Sequence, residues 1–297
     1  MKREFNTLII IICFACTLFS SCSDDETLTD NEVRQVALSD LKVSSFNIRF
    51  SNPGDGINRW SNRRTDVLNF LKVENLDIIG MQEALHSQIE FFDNNLTGYT
   101  RIGVGREDGK EAGEYAPIYV KSSRFNEIEK GNFWLSETPS VPSRGWDAVL
   151  NRICTYTHVL DLETDQEVFV FNTHYDHVGA AARVNSSSLI LDSIQAKLDK
   201  NIRVILTGDL NVEPSATAYQ LLTDRLEDSF DTNVRFGPFG TFNGFNVGEN
   251  HDRRIDYILF NGFKSNSYAT ISTVINGRYL SDHFPIISKL AYRPLNN

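Results

Sequence analysis

A strand that ends on a polar pair constrains this chain more than any other feature. Arg203-Val204-Ile205-Leu206 has strand character and leads through Thr207 into Gly208-Asp209-Leu210-Asn211. Side chains alternate across a strand, so residues two apart point the same way. Asp209 and Asn211 are therefore expected to project together at the end of a buried strand, where ligands sit in layered sheet folds. Gly-Asp and Asn are also ordinary turn chemistry, so this run alone does not separate a site from a turn. The construction recurs, however. Asn47, Glu83, Glu114, His174 with Asp176, Asp256, and Asp282 with His283 each follow or close an apolar segment. Together they supply only carboxylates, amides and imidazoles. Oxygen donors without a Cys/His cluster suit a hard cation, Mg²⁺ or Mn²⁺, rather than structural zinc.

The apolar periodicity gives many strands with a few helices between them. Strands are expected over Leu41–Phe50, Asp77–Glu83, Tyr99–Val104, Tyr115–Val120, Ile128–Leu135, Arg254–Phe260, Tyr268–Val274 and Phe284–Tyr292. Arg152–Leu162 and Glu167–His174 read as a hairpin over the polar turn Glu163-Thr164-Asp165. Val67, Leu68 and Leu71 mark one face of a helix that Thr65 or Asp66 can cap. Ile89, Phe92 and Leu96 mark a second helix, and Val184, Leu191, Ile194 and Leu198 a long third. A short helix is expected near Tyr219–Leu222. This pattern fits two packed sheets with helices outside, and no Pro/Gly/Ser linker divides residues 40–297, so one α+β domain is expected.

The first segment belongs to targeting. Lys2 and Arg3 precede a short apolar run, Leu8 to Phe19, and Ser20-Ser21 lead to Cys22. This is a signal-peptide pattern, and the run is short for a spanning helix. Cysteine directly after small residues resembles the lipobox of bacterial lipoproteins. That resemblance implies removal of residues 1–21, a lipid on Cys22 and a polar tether over residues 22–39 that holds the domain to a membrane. Asp24-Asp25-Glu26 resembles the surface-export signal of Bacteroidota lipoproteins, and is equally the composition of a solvated tether. The implied location is outside the cytoplasm, lipid-anchored to the outer membrane, with surface exposure left open. Of the four cysteines only Cys154 would then remain unmodified, so the mature domain has no intramolecular disulfide. Cys154, flanked by apolar strand residues, reads as a small core residue.

The net charge is −10, and losing Lys2, Arg3 and Glu4 makes the mature chain more acidic. Proteins that bind long nucleic acid neutralise phosphates with clustered Lys and Arg. No such cluster is visible, which disfavours that class of partner.

Taken in order, Phe46-Asn47-Ile48-Arg49, Gln82-Glu83, Asn172-Thr173-His174, Gly208-Asp209-Leu210-Asn211, Arg254-Ile255-Asp256-Tyr257-Ile258 and Ser281-Asp282-His283-Phe284-Pro285 resemble the endonuclease/exonuclease/phosphatase superfamily, to which deoxyribonuclease I belongs. The resemblance covers about residues 40–292. Phe133 to Pro139 and Gly145-Trp146-Asp147 resemble a bacterial branch of it. The resemblance implies a four-layer αββα sandwich and divalent-metal-dependent hydrolysis of phosphoesters. It implies Glu83 as principal metal ligand with Asn47 beside it and Asp282 as a further ligand. Asp209 would orient or deprotonate the attacking water, and Asn211 would hold that water or the phosphate. His283, oriented by Asp256, would contact the phosphoryl oxygens, and His174 would be the second histidine with Glu114 as its carboxylate partner. A carboxylate behind each histidine favours its charged form. Many nucleases of the superfamily carry an Asp where this chain has Arg49, so Arg49 instead suits an anionic substrate.

Arg152, Asp176, His177 and Arg183 cluster in sequence around the end of the His174 strand and are candidates for substrate binding, arginine being suited to bidentate phosphate contacts. Trp134 and Trp146 fit either a pocket wall or the core, and the polar stretches Asn58–Arg64 and Gly237–Asn250 fit loops at the mouth. The expected activity is a phosphodiesterase or phosphatase acting on a small-molecule, sugar, glycan or lipid-headgroup phosphoester. A nuclease of environmental nucleic acid is the alternative, and a binding protein without chemistry the third reading. A monomer is expected.

Overall fold

The structure, a computed structural model, describes residues 40–294. The signal sequence, Cys22 and the tether lie outside the described residues. Two sheets dominate. The strands are β1 (Leu41–Asn47), β2 (Ile78–Gln82), β3 (Tyr99–Ile102), β4 (Ile118–Lys121), β5 (Phe125–Trp134), β6 (Ile153–Asp161), β7 (Gln166–His174), β8 (Arg203–Asp209), β9 (Glu227–Asp228), β10 (Arg235–Phe236), β11 (Asp256–Asn261), β12 (Phe263–Thr270), β13 (Val274–Ile275), β14 (Arg278–Tyr279) and β15 (Ile286–Tyr292). One sheet has the order β10-β12-β15-β1-β2-β4-β3 and the other β5-β6-β7-β8-β11-β9, with β13 and β14 forming a small ribbon. Four helices, α1 (Trp60–Glu74), α2 (His86–Asn95), α3 (Ala180–Leu198) and α4 (Thr217–Thr223), complete the described residues beside a 3-10 turn at Pro53–Asn58.

The period of two sorts each strand between layers. Val43, Ile78, Val168, Val170, Ile205, Ile258 and Phe260 pack between the sheets. Their neighbours Phe46, Ile79 and Met81 face outward with Val67, Leu71, Ile89 and Phe92 of α1 and α2. Phe169, Phe171, Val204, Leu206, Tyr257 and Leu259 face outward on the second sheet, with Ile190 and Ile194 of α3 and Leu222 of α4. Three apolar layers therefore separate four layers of structure, the expected αββα sandwich. Strand bounds shift by a few residues from expectation, and the β6–β7 hairpin pairs as expected. The first helix starts at Trp60 rather than at Thr65 or Asp66, because Trp60 and Arg63 extend the buried stripe of Val67 and Leu71 back by a turn. Much of the Asn58–Arg64 stretch is thus helix, not loop. No described helix is long and apolar enough to cross a membrane.

What positions the site is a polar gradient along the inter-sheet layer. Following the inner face of each strand, Val43 gives way to Ser45 and Asn47, Val170 to Asn172 and His174, and Ile205 to Thr207 and Asp209. Asn172 is the centre of the intermediate step. Its side-chain amide donates to the carbonyls of Met81 (2.6 Å) and Pro117 (2.9 Å), and its Oδ1 accepts from Gln82 (2.7 Å) and Thr207 (2.9 Å). These bonds satisfy amides and hydroxyls that burial would otherwise penalise. They also lock the two sheets together just below the site. The approach is close enough to require glycine: a Cβ on Gly80 would lie 2.0 Å from Thr207 Oγ1 and 2.7 Å from Asn172 Oδ1.

Candidate functional site

At the end of this gradient the strand termini converge on one carboxylate. Asp209, the last residue of β8, is buried at 1% exposure. Its Oδ2 accepts from Asn47 Nδ2 at 3.0 Å and lies 3.5 Å from His174 Nε2 and 3.7 Å from His283 Nε2. Asn47 Nδ2 also donates to Glu83 Oε1 at 3.0 Å, and the other Glu83 oxygen accepts from the Phe50 amide at 3.1 Å. Five strand ends thus meet here, those of β1, β2 and β8 joined by hydrogen bonds through Asn47, and antiparallel register sets Asp256 directly opposite Asp209.

The backbone turns sharply at each of these ends. Arg49, Glu83 and Asn211 all adopt φ between 51 and 66 degrees, the left-handed region that is uncommon for non-glycine residues. Asn47 Oδ1 accepts from the Arg49 amide at 3.0 Å and Asp209 Oδ1 from the Asn211 amide at 2.9 Å, so both ends form the same side-chain-to-backbone turn. The expectation that Asn211 projects beside Asp209 by strand alternation is therefore not met. The strand stops at Asp209, and the Asn211 side chain instead donates to the Tyr175 carbonyl at 3.0 Å. It helps build the turn that presents Asp209.

The two histidines differ. His283 Nδ1 donates to Asp256 Oδ2 at 2.9 Å, with both groups buried. Burial opposes its charge, but Asp256 and then Asp209 outweigh it, so His283 stays protonated well above the ordinary histidine range. His174 goes the other way. Burial, then the positive charges of Arg152 and Arg106, hold it well below that range. Its expected partner Glu114 is 3.7 Å from Nδ1, beyond a hydrogen bond, and is bound instead by Arg106 at 2.7 Å. Only His283 therefore has a carboxylate behind it that favours the imidazolium. Burial and the nearby Asp256 push Asp209 up to about 7, with His283 pulling the other way.

Donor atoms of Glu83, His174 and Asp209 lie within 4.8 Å of one another, as do those of Asp209, Asp256 and His283. In the second set Asp256 and His283 already satisfy each other. The first set, two carboxylates and one imidazole, fits a hard divalent cation, and Asn47, which turns its Nδ2 rather than its carbonyl to Glu83 and Asp209, orients those carboxylates instead of adding the expected ligand. Asp282 is less central than expected. It is buried and lies 3.6 Å from Arg49 Nη1, while Arg49 forks onto Asp55 at 3.1 and 3.2 Å. Arg49 is thus largely neutralised by two carboxylates.

Of the expected substrate-binding residues, Asp176 builds the loop instead. Its carboxylate accepts from the amides of Val149, Leu150, Val178 and Gly179. Arg152 lies 3.5 Å from it and donates to His177 Nδ1 at 3.1 Å, leaving Nη1 buried without a partner. Arg183 donates to the Asp176 carbonyl at 3.0 Å. Trp134 is core, its indole N–H held by the Arg106 carbonyl. Cys154 is fully buried, and burial pushes its thiol up, away from reactivity.

Several positions that matter here were not expected. Asn172 and Gln82 carry the signal of period two, being on the inner face below His174 and beside Glu83. Asn243 lies in the Gly237–Asn250 stretch: its amide donates to the Asp282 carbonyl at 2.8 Å and its side chain to the Ser281 carbonyl at 3.1 Å. Arg106 and Arg63 carry no signal in the sequence.

Comparison with known proteins agrees with this geometry. The model of the endonuclease/exonuclease/phosphatase family matches residues 44–283. A family protein from Bacteroides thetaiotaomicron is 36% identical with a TM-score of 0.82, over 86% of this chain and 99% of that one. A mannosyl-6-phosphatase from the same organism is 37% identical with a TM-score of 0.80, over 85% of this chain and 100% of that one. An uncharacterised protein of Acanthamoeba polyphaga mimivirus is 28% identical over 83% of this chain and 98% of its own length.

Proposed function

This chain belongs to the endonuclease/exonuclease/phosphatase family, and from that premise we propose that it is a divalent-metal-dependent phosphoester hydrolase acting on a phosphorylated sugar or glycan. The observation that carries the chemistry is the convergence of Asn47, Glu83, His174 and His283 on the buried Asp209 carboxylate. The likeness to a mannosyl-6-phosphatase supports the sugar.

Glu83, Asp209 and His174 would hold the cation, with Asn47 orienting the two carboxylates through its Nδ2. When bound, it supplies neutralisation of charge on the phosphoryl oxygens. The remaining work falls to the protein's own groups. Protonated His283 offers Nε2–H to a nonbridging oxygen, and Asp256 keeps it charged and oriented. Asp209, ionised beside the cation, accepts a proton from the attacking water. His174, kept neutral by Arg152 and Arg106, can hold that water or a phosphoryl oxygen without adding a fixed charge. Arg152 supplies an unpartnered N–H for the substrate anion.

Location follows from the anchor proposed at Cys22. Asp40 precedes Leu41 at the start of β1, whereas Asn47 at its end faces the site. That anchor would hold the domain outside the cytoplasm at the outer membrane, with the entry of β1 at the end opposite the site.

The test is hydrolysis of mannose 6-phosphate, p-nitrophenyl phosphate, bis-p-nitrophenyl phosphate, sphingomyelin and plasmid DNA, with Mg²⁺ and with chelator. Chelator-sensitive release of phosphate from the sugar ester is expected. Fast plasmid cleavage with inert sugar phosphates would overturn the substrate class.

A further inference from the structure

Arg63 lies on α1 yet makes no contact with solvent: its side chain is fully buried. Its guanidinium ties together segments that are distant in sequence. Nη1 donates to the Ile48 carbonyl at 3.0 Å and to the Leu280 carbonyl at 2.6 Å, and Nε donates to the Asn58 carbonyl. Ile48 directly follows Asn47, and Leu280 directly precedes Ser281-Asp282-His283. The same guanidinium lies 5.3 Å over the Phe245 ring and 5.6 Å over Trp60. Phe245 in turn is bonded through its amide to Asn243, which holds the Asp282 carbonyl. One planar group thus joins the two strand ends and the loop that border the site.

This arrangement is costly for packing alone. Among the described residues no carboxylate lies within ion-pair distance of Arg63, and Nη2 has no hydrogen-bond partner. A buried cation without a contacting counter-charge is destabilising by several kcal/mol. Burial accordingly lowers its pKa to about 10, against the pull of Asp282, Asp55 and Glu83. Of these, Glu83 belongs to the proposed cation site, and Asp282 and Asp55 lie beside Arg49 at its edge, so the guanidinium is held in the field of the site's acids without contacting any of them.

We propose that Arg63 is a positioning residue that fixes the spacing between the Asn47–Arg49 and Leu280–His283 segments and so sets the site's divalent-cation affinity and turnover. The proposal rests on the reading above that the site holds such a cation. The role needs the fork of arginine, because lysine carries the charge as a single point on a flexible stem and cannot reproduce its planar geometry.

The test compares wild type with Arg63→Lys and Arg63→Met. Readouts are Mn²⁺ titration calorimetry of the chelator-stripped protein, circular dichroism melting, and kcat and KM on p-nitrophenyl phosphate. Loss of an outer group that orients metal ligands typically weakens affinity by about 10–100-fold, so Arg63→Lys is expected to lose that much Mn²⁺ affinity and a similar factor in kcat, with KM changed little. Variants that melt lower but bind Mn²⁺ and turn over within about twofold of wild type, at a temperature where both are folded, would reduce Arg63 to a structural residue. If neither variant folds, Phe245→Leu loosens the guanidinium from a partly exposed loop. Its Mn²⁺ affinity is then expected to fall at least threefold, and an unchanged affinity overturns the proposal. Failure of wild type to bind Mn²⁺ would sink the reading of the site itself. Wild-type binding that Arg63→Lys preserves would sink this inference alone.

Discussion

Asp256→Asn is the perturbation whose outcome the site geometry specifies most fully. The change is nearly isosteric and removes one charge from a buried pair 2.9 Å long. At an effective dielectric near 20, two unit charges at that distance attract by about 6 kcal/mol, before the burial that opposes them. A hydrogen bond to a charged group nets about 1.5–3 kcal/mol. At about 1.4 kcal/mol per pKa unit, that range lowers the His283 pKa by at least roughly one to two units. The imidazolium is then held less firmly against deprotonation and less firmly oriented, and turnover is expected to fall by about 10²–10⁴-fold, the range for a positioned acid or base. The assay is the pH dependence of kcat between pH 5 and 9, paired with NMR titration of the His283 ring. Stability has a definite sign. His283 has its folded pKa raised above the unfolded value, so the pair's contribution is fully present below about pH 6.5 and is lost as pH rises through the folded pKa. The stability gap between wild type and variant should therefore narrow with rising pH. An Asp256→Asn protein with wild-type turnover and an unmoved ring titration would refute this account of the pair.

The other expectations are narrower. Asp209→Asn should abolish at least about 99% of turnover while the fold persists, given the roughly 10²-fold minimum for a general base; near-normal rates in a folded variant would remove Asp209 from the chemistry. In the chelator-stripped protein Asp209 has its pKa raised to about 7 by burial and Asp256, so the native state holds a proton that the unfolded chain has lost, and stability should fall as pH rises from about 4 to 7. Because a cation favours the ionised form, the melting-temperature gain from Mg²⁺ should grow between pH 5.5 and 8; a gain independent of pH would contradict its placement beside Asp209. Gly80→Ala puts a Cβ 2.0 Å from Thr207 Oγ1, and overpacking against the buried Thr207 and Asn172 side chains should cost about 1–3 kcal/mol by denaturant unfolding. A loss under about 1 kcal/mol would mean that the sheets separate more easily than their shared Asn172 bonds imply.

The parts of the fold and site that were legible in the sequence are those governed by alternation. Ile205, Thr207 and Asp209 share a face because the strand period is two, and the same rule carries Val170 through Asn172 to His174. The pairing that sets Asp256 opposite Asp209 was not legible, because register between strands distant in sequence is set by the fold and not by alternation. The reading fails where regular backbone stops. Asn211 lies past the end of β8, so its left-handed turn, not the strand period, decides where its amide goes. Glu114 was matched to His174 by position, but Arg106 captures it from a loop whose path no local pattern encodes. His174 is then held neutral by burial first and by Arg152 and Arg106 next, with no carboxylate bonded to its ring to oppose them. The two histidines, alike in sequence, are thus differentiated by charges that reach them across the fold. The resulting pair, one imidazolium at His283 and one neutral ring at His174, lets the two rings do different work on either side of Asp209: His283 donates a charged N–H to a phosphoryl oxygen, while positive charge on the His174 side comes from Arg152 and Arg106 rather than from the ring.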